Sequence, residues 1–221
     1  MVVLETVSLS FETKGRRQVI FDKLVGMLPT NKRFIILGAP GSGKSILIKM
    51  VAGLIRPDSG SIERMARLSY PVGFGAWFRP KLTVKQNLGY AADVYEVDRD
   101  ELIEFVGEVT RLRYCFSMKY GELPPLMRAQ LHYATSYAIP FDTYLIDGLI
   151  GAGDEEFRLT CDSMFEARAA ESGIIMATRH IQHAKKYGDC GALLSNGKLT
   201  FFDDVNLLVQ AYRESKTEVQ D

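Results

Sequence analysis

One octapeptide restricts the folds open to this chain more than anything else in it: Gly38-Ala39-Pro40-Gly41-Ser42-Gly43-Lys44-Ser45, a G-x-x-x-x-G-K-[ST] pattern. Phe34-Ile35-Ile36-Leu37 before it is a short apolar run ending in glycine, as a buried parallel strand would be. Ile46 to Ala52 after it reads as a helix closed by Gly53. A loop that joins a strand end to a helix start turns successive backbone N–H groups toward one point, where the helix dipole also favours an anion. Lys44 then reaches the outer phosphates of a nucleoside triphosphate, and the Ser45 hydroxyl ligates Mg²⁺. A glycine-rich loop arising by chance is the alternative, and the flanking strand and helix weigh against it.

Composition narrows the class. With 221 residues, 47 % hydrophobic and 24 % charged, the chain suits one globular domain or two small lobes. Lys plus Arg and Asp plus Glu both number 27, so no net field recruits nucleic acid or an anionic membrane. Cys115, Cys161 and Cys190 are an odd set without metal-ligand spacing, which fits a reducing cytosol and burial without chemistry. Met1 to Glu5 lacks the basic start and apolar core of a signal peptide, and no apolar run approaches the roughly 18 residues of a membrane span. The expectation is a soluble cytoplasmic chain, free to dock on a membrane protein.

In chain order, loose alternation from Val2 to Phe11 and the run Val19-Ile20-Phe21 predict a hairpin with a basic turn at Lys14 to Arg17, and Leu28 to Lys32 reads as a turn. Phe11, at the hairpin's edge, has two readings of equal weight: core packing, or a ring on which adenine stacks. Arg56-Pro57-Asp58-Ser59-Gly60 is a turn signal before short strands near Ser61-Ile62 and Leu68 to Tyr70. Tyr70 to Pro80 spreads four aromatics among Gly and Pro, a loop whose rings either enter the protein's own core or line a partner groove. Thr83 with Gln86, and Asp98 with Glu101, predict helix starts near Val84 and Arg99, and a third helix follows Pro125. Residues 82–138 therefore read as a helical insertion in a single domain spanning 1–221.

Strand character returns at Tyr144-Leu145-Ile146-Asp147 and at Gly173 to Thr178, with a helix over Glu155 to Ala170 between them, a crossover that predicts parallel pairing. Ala192 to Leu194, an Asn196-Gly197 turn and Leu199 to Phe202 predict a hairpin, and a last helix runs from Asp204 to Tyr212 before a polar tail. Asp147, ending an apolar strand, has the place of a Walker B acid that completes the Mg²⁺ shell, against a plain turn cap. The next residue, where a hydrolytic member of this class carries a general-base Glu, is Gly148.

This order of parts resembles the ATP-binding subunit of an ABC transporter, over nearly the whole chain. Tyr70-Pro71-Val72-Gly73-Phe74, Leu82-Thr83-Val84-Lys85-Gln86-Asn87 and Gly151-Ala152-Gly153-Asp154 look like the subfamily that exports capsular polysaccharide and related lipid-linked glycans. The resemblance implies an α/β fold of the P-loop NTPase class, with an N-terminal antiparallel β part and a helical subdomain. It also implies ATP and Mg²⁺ as ligands, a membrane permease and a second nucleotide-binding domain (the same chain or another) as partners, and a place on the cytoplasmic face of the inner membrane. Position by position, it puts Phe11 at the adenine-stacking aromatic, Gly38, Ala39, Pro40, Gly41, Ser42, Gly43, Lys44, Ser45 and Ile46 around the phosphates, Ser45 and Asp147 on the metal, and Asp154 at the D-loop aspartate.

Four positions depart from the family pattern. Arg79 aligns with the loop glutamine, Pro124-Pro125-Leu126-Met127 with the Ser-Gly signature, Gly148 with the catalytic glutamate, and Arg179 with the switch histidine, His180 lying one residue late. Together they imply retained ATP binding with slow or absent hydrolysis. Arg79 and Arg179 are read either as extra positive charge near the phosphates or as solvated surface. Three functions stand at this point: a glycan-exporter ATP-binding subunit, a non-hydrolysing regulatory or assembly subunit, and, weakest, a phosphate-loop kinase or unrelated NTPase, since the helical insertion shows no arginine-rich cluster of the kind a kinase lid carries.

Overall fold

The computed structural model describes residues 1–13 and 15–217, so Lys14 of the expected basic turn and the end of the expected tail, 218–221, lie outside the described residues. The chain divides into two units: Met1–Pro71, Phe141–Gly148 and the chain from Ser172 form one, and Val72–Pro140 with Leu149–Glu171 the other.

The first unit holds two sheets. Strand β1 (Val2–Thr13) pairs antiparallel with β2 (Arg16–Leu28), from Val2 opposite Leu28 to Thr13 opposite Arg16, with shifts of register between Leu4 and Ser10. The hairpin is as expected, but β2 continues seven residues past Phe21 because Leu24 and Leu28 still face the core. After β3 (Arg33–Leu37) and helix α1 (Lys44–Val51), β4 (Ser59–Arg64) adds to the other edge of β1.

The second sheet contains β5 (Leu68–Pro71), β6 (Thr143–Asp147), β7 (Gly173–Thr178), β8 (Cys190–Ser195) and β9 (Lys198–Phe202), in the order β5-β6-β7-β3-β8-β9. All pairs are parallel except the β8–β9 hairpin. Its inner strands are mostly apolar, and all six residues of β7 are buried, as a sheet covered on both faces requires. One cover is α1, whose Leu47, Ile48, Met50 and Val51 join a single core with Val2, Leu4 and Phe21 of the small sheet and Phe34, Ile36 and Ile175 of the large one. Each such side chain contributes about 1.5–3 kcal/mol when fully buried. The C-terminal end of α1 is capped from β4, where Arg64 donates through Nη2 to Met50 O and through Nε to Val51 O, both at 2.7 Å.

Helices α6 (Ile181–Tyr187) and α7 (Val205–Thr217) pack on β3. Helix α6, two turns without an acidic first turn, has no counterpart in the expectations from sequence. Helix α7 outruns the expected end at Tyr212. Leu208, Val209 and Tyr212 are buried along it, and the helix continues one turn past the last of them.

The second unit is helical: α2 (Val84–Tyr95), α3 (Arg99–Thr110), α4 (Pro125–Ala138) and α5 (Glu155–Glu171). The Thr83–Gln86 capping box forms in both directions, at 3.1 and 2.9 Å, and the Asp98 carboxylate caps α3 by accepting from Asp100 N and Glu101 N. Of the aromatic loop, Phe78 enters this unit's own core, stacked on Tyr120 with ring centroids 4.9 Å apart, while Phe74 and Trp77 stay half-buried.

Beside Phe78, Tyr120 Oη lies 2.7 Å from His132 Nε2. Burial pushes the His132 imidazole down from 6.5 to about 4; the hydrogen bond to the Gly73 backbone opposes the shift and the Arg128 charge adds to it. The fold thus favours the neutral ring, whereas the unfolded chain takes up a proton near the ordinary value. Stability from this site is present above about pH 6.5 and is lost as pH falls from there through about 4, by at most about 3 kcal/mol. A pH series of melting temperatures should therefore fall less steeply over that window for His132→Gln than for the wild type, and parallel slopes would show that this ring is not what titrates.

All three cysteines are buried and unpaired, as expected, and burial raises the Cys161 thiol to about 11, which keeps it inert. No described helix is long and apolar enough to cross a membrane.

Candidate nucleotide-binding site

Strands β6, β7 and β3 run parallel, so Asp147, Thr178 and Leu37 end on one edge of the sheet, where the neighbours of β3 lead in opposite directions along the chain. The octapeptide leaves the end of β3 and enters α1. Gly43 has φ +96°, a left-handed conformation that lets the loop curl before its carbonyl accepts the first helical bond, from Leu47 N at 2.8 Å. With no side-chain cap on this helix start, its N–H groups remain for an anion.

Lys44 folds back over the loop. Its Nζ donates to Gly38 O at 2.8 Å, Ala39 O at 2.7 Å and Ser42 Oγ at 3.1 Å. Burial lowers its pKa; Asp147 pulls the other way, and Arg179 adds to the lowering, which places both charges in its field. Ser45 Oγ donates to Asp147 Oδ1 at 2.8 Å across 102 positions of sequence. A hydroxyl and a carboxylate converging in this way suit Mg²⁺, a hard cation that takes few protein oxygens and fills its octahedron with water and phosphate. Ile46, grouped with the loop from sequence, turns its side chain onto the core, so its backbone N–H is what it offers an anion.

Gly148 follows Asp147 with φ +85°, its N–H donating to Ala177 O at 2.9 Å. Arg179 and His180 are exposed beyond β7, with Arg179 Nε 3.4 Å from His180 Nε2. Phe11, opposite Gln18 in the hairpin, is 39 % exposed, so the core-packing reading fails for it.

Next to the loop opens a cleft of about 910 Å³, walled by Gln18, Val19 and Ile20 of β2, Ala39 to Ser42, the β8–β9 turn and Tyr212 of α7. Its size is that of a small-ligand site. The turn and Tyr212 escaped the sequence reading, because no local pattern ties a terminal helix or a hairpin turn to a loop about 150 residues earlier.

The remaining sequence candidates belong to the helical unit. Arg79 lays its guanidinium over the Tyr90 ring, 4.9 Å from the centroid, and its backbone is held at both ends by the buried amide of Asn87. Pro124 and Pro125 start α4 with no side-chain cap. Asp154 accepts from Phe157 N at 2.9 Å at the start of α5.

The family described as ABC transporter matches residues 21–123. The chain is 31 % identical over 218 residues to the polysialic acid transport ATP-binding protein KpsT of Escherichia coli, covering 97 % of this chain and 99 % of that one. It is 30 % identical over 213 residues to the capsule polysaccharide export ATP-binding protein CtrD of Neisseria meningitidis serogroup B, covering 96 % and 98 %. Its fold is similar to that of the ATP-binding cassette MJ0796, solved as a dimer in a post-hydrolysis state bound to ADP and Pi, with a TM-score of 0.73 at 16 % identity over 93 % of this chain and 99 % of that one. A phosphate loop between β3 and α1, an acid at the end of β6 bonded to the loop's serine, and end-to-end likeness to such subunits lead to one conclusion: the chain belongs to the family of ABC transporter ATP-binding proteins.

Proposed function

We propose that this chain is the ATP-binding subunit of a transporter that exports capsular polysaccharide or a related lipid-linked glycan across the inner membrane. It binds Mg-ATP and, alone, splits it slowly or not at all. The observation that carries ATP binding is the Lys44, Ser45 and Asp147 arrangement: an ammonium over the loop and two oxygens 2.8 Å apart at its end. The export reading rests on the names of KpsT and CtrD.

In this reading Ser45 and Asp147 hold Mg²⁺, which screens the β- and γ-phosphate charge. Lys44 and the N–H groups opening α1 bind the phosphates, and the exposed Phe11 ring stacks on adenine. The chain sits on the cytoplasmic face of the membrane beside a permease, and pairs head to tail with a second nucleotide-binding domain. Residues 82–138 form its helical subdomain, with Arg79 at the loop-glutamine position and Asp154 in the D-loop.

A second reading, a non-hydrolysing clamp that regulates or assembles the complex, is favoured by Gly148, which has no side chain to polarise water. Loss of a positioned general base costs roughly a factor of 10² to 10⁴ in rate. Phosphate release by the purified chain, with and without the products of neighbouring genes, separates the two. The expected result is negligible release alone and measurable release with permease and partner domain. No release under either condition would sink the motor and leave the clamp; failure to bind ATP would sink both.

A further inference from the structure

The β1–β2 hairpin runs on beyond the core as an arm. Leu9 and Phe21 are its last buried pair; no hairpin residue farther out whose burial is described is buried, and Phe11 stands there opposite Gln18. The phosphate loop packs on the root of this arm, since a Cβ at Gly43 would stand 3.0 Å from the Phe21 ring and 3.1 Å from the Ile20 side chain. The separation of Phe11 from the loop therefore depends on the angle at which the arm leaves its root.

One carboxylate braces that angle. Strand β4 accompanies β1 only as far as Ser8, opposite Ser59, and Asp58, in the bend just before β4, takes over from there. Its N–H donates to Ser8 O at 2.8 Å, and its Oδ2 accepts from the main-chain N–H of Ser10 at 2.8 Å and from the Ser10 hydroxyl at 2.9 Å. The same hydroxyl accepts from Arg17 Nε of β2 at 3.1 Å, so both strands of the arm are tied to Asp58. An aspartate serving only its own turn bonds a main-chain N–H two residues on. This one reaches across 48 positions of sequence.

We propose that Asp58 is a positioning residue of the nucleotide site, whose carboxylate stands in for a third strand beside the end of β1 and holds the arm at the angle that presents Phe11 to the base. The inference rests on the reading of Phe11 as the base-stacking ring. Bonds from an N–H and a hydroxyl to one ionised oxygen are of the stronger, charge-assisted kind. They fix Ser10, the residue next to Phe11, before any ligand arrives. Without them the arm swings on its root, and binding must bear the entropy of fixing the ring. The phosphates are held by the loop and by Lys44, which the arm does not touch through Asp58, so the loss falls on the base alone.

The test titrates the full chain with Mg-ATP and with Mg-tripolyphosphate, which offers the phosphates without a base. Asp58→Ala should raise Kd for Mg-ATP by about three- to tenfold and leave Kd for Mg-tripolyphosphate unchanged. Asp58→Asn, which keeps an acceptor oxygen without the charge, should lie between Asp58→Ala and the wild type. In a Phe11→Ala background, Asp58→Ala should add nothing, because there is no ring left to position. Wild-type affinity for Mg-ATP in Asp58→Ala, an equal loss for both ligands, or an undiminished loss in the Phe11→Ala background would each overturn the role. Amide hydrogen exchange without nucleotide supplies the independent arm: Ser10 N–H should exchange at least about tenfold faster in Asp58→Ala, and unchanged exchange would show that the carboxylate does not hold the arm. Wild-type affinity for Mg-ATP in Phe11→Ala would instead sink the stacking reading, and this role with it.

Discussion

Lys44→Ala is expected to erase the thermal stabilisation that Mg-ATP gives the wild-type chain. At an ATP concentration about 100-fold above Kd, binding to the native state alone adds about 2.7 kcal/mol. In a chain of this size that raises the melting temperature by about 5–10 °C. The ammonium is central to that gain, because Lys44 is the cation seated on the loop itself, within 2.8 Å of Gly38 O and Ala39 O. Alanine leaves the backbone N–H groups but no charge to offset the triphosphate. Thermal melts across an ATP series, each referred to the same variant without nucleotide, separate this loss from any change in intrinsic stability. An ATP-dependent shift that survives in Lys44→Ala would move the site away from the loop.

Gly148→Glu should raise turnover toward that of a chain with a positioned base, by a factor of about 10² or more, and should do so at a cost in stability. Apart from its own chain neighbours, no atom of the described residues lies within 4 Å of where a Cβ would stand, so space is not the obstacle. Conformation is, because φ at Gly148 is +85°, and an L-residue held in the left-handed region costs about 1–2 kcal/mol. The variant should therefore melt about 2–8 °C lower while gaining phosphate release in the presence of permease and partner domain. Strain without any gain in rate would assign the lost chemistry to Pro124-Pro125 and Arg179.

Much of the fold was legible because local rules set it. The capping oxygens of Thr83 and Asp98 marked α2 and α3 to the residue, and Pro125 opened α4. The Asn196-Gly197 pair, both with positive φ, turned β8 into β9. The limit of β2 was misjudged because the strand continues for as long as alternate apolar residues find something to pack on, and that surface is supplied by distant parts of the chain; α7 instead runs on for one turn of polar residues past its last buried residue, Tyr212. Helix α6 was missed because it is short, and buries only Ala184 and Tyr187.

The sequence by itself determined the phosphate loop, its strand and helix, the acid at Asp147 and the missing side chain at Gly148, because a motif at a strand-to-helix junction carries its chemistry in neighbouring residues. Tertiary structure alone decided the rest. It brought Ser45 to Asp147 across 102 positions, set Tyr212 of α7 on the carbonyl of Gly38 across 174, and left the Phe11 ring exposed. These are contacts between elements that become neighbours only when β3 takes its place between β7 and β8 and α7 packs on that sheet, so no local pattern records them.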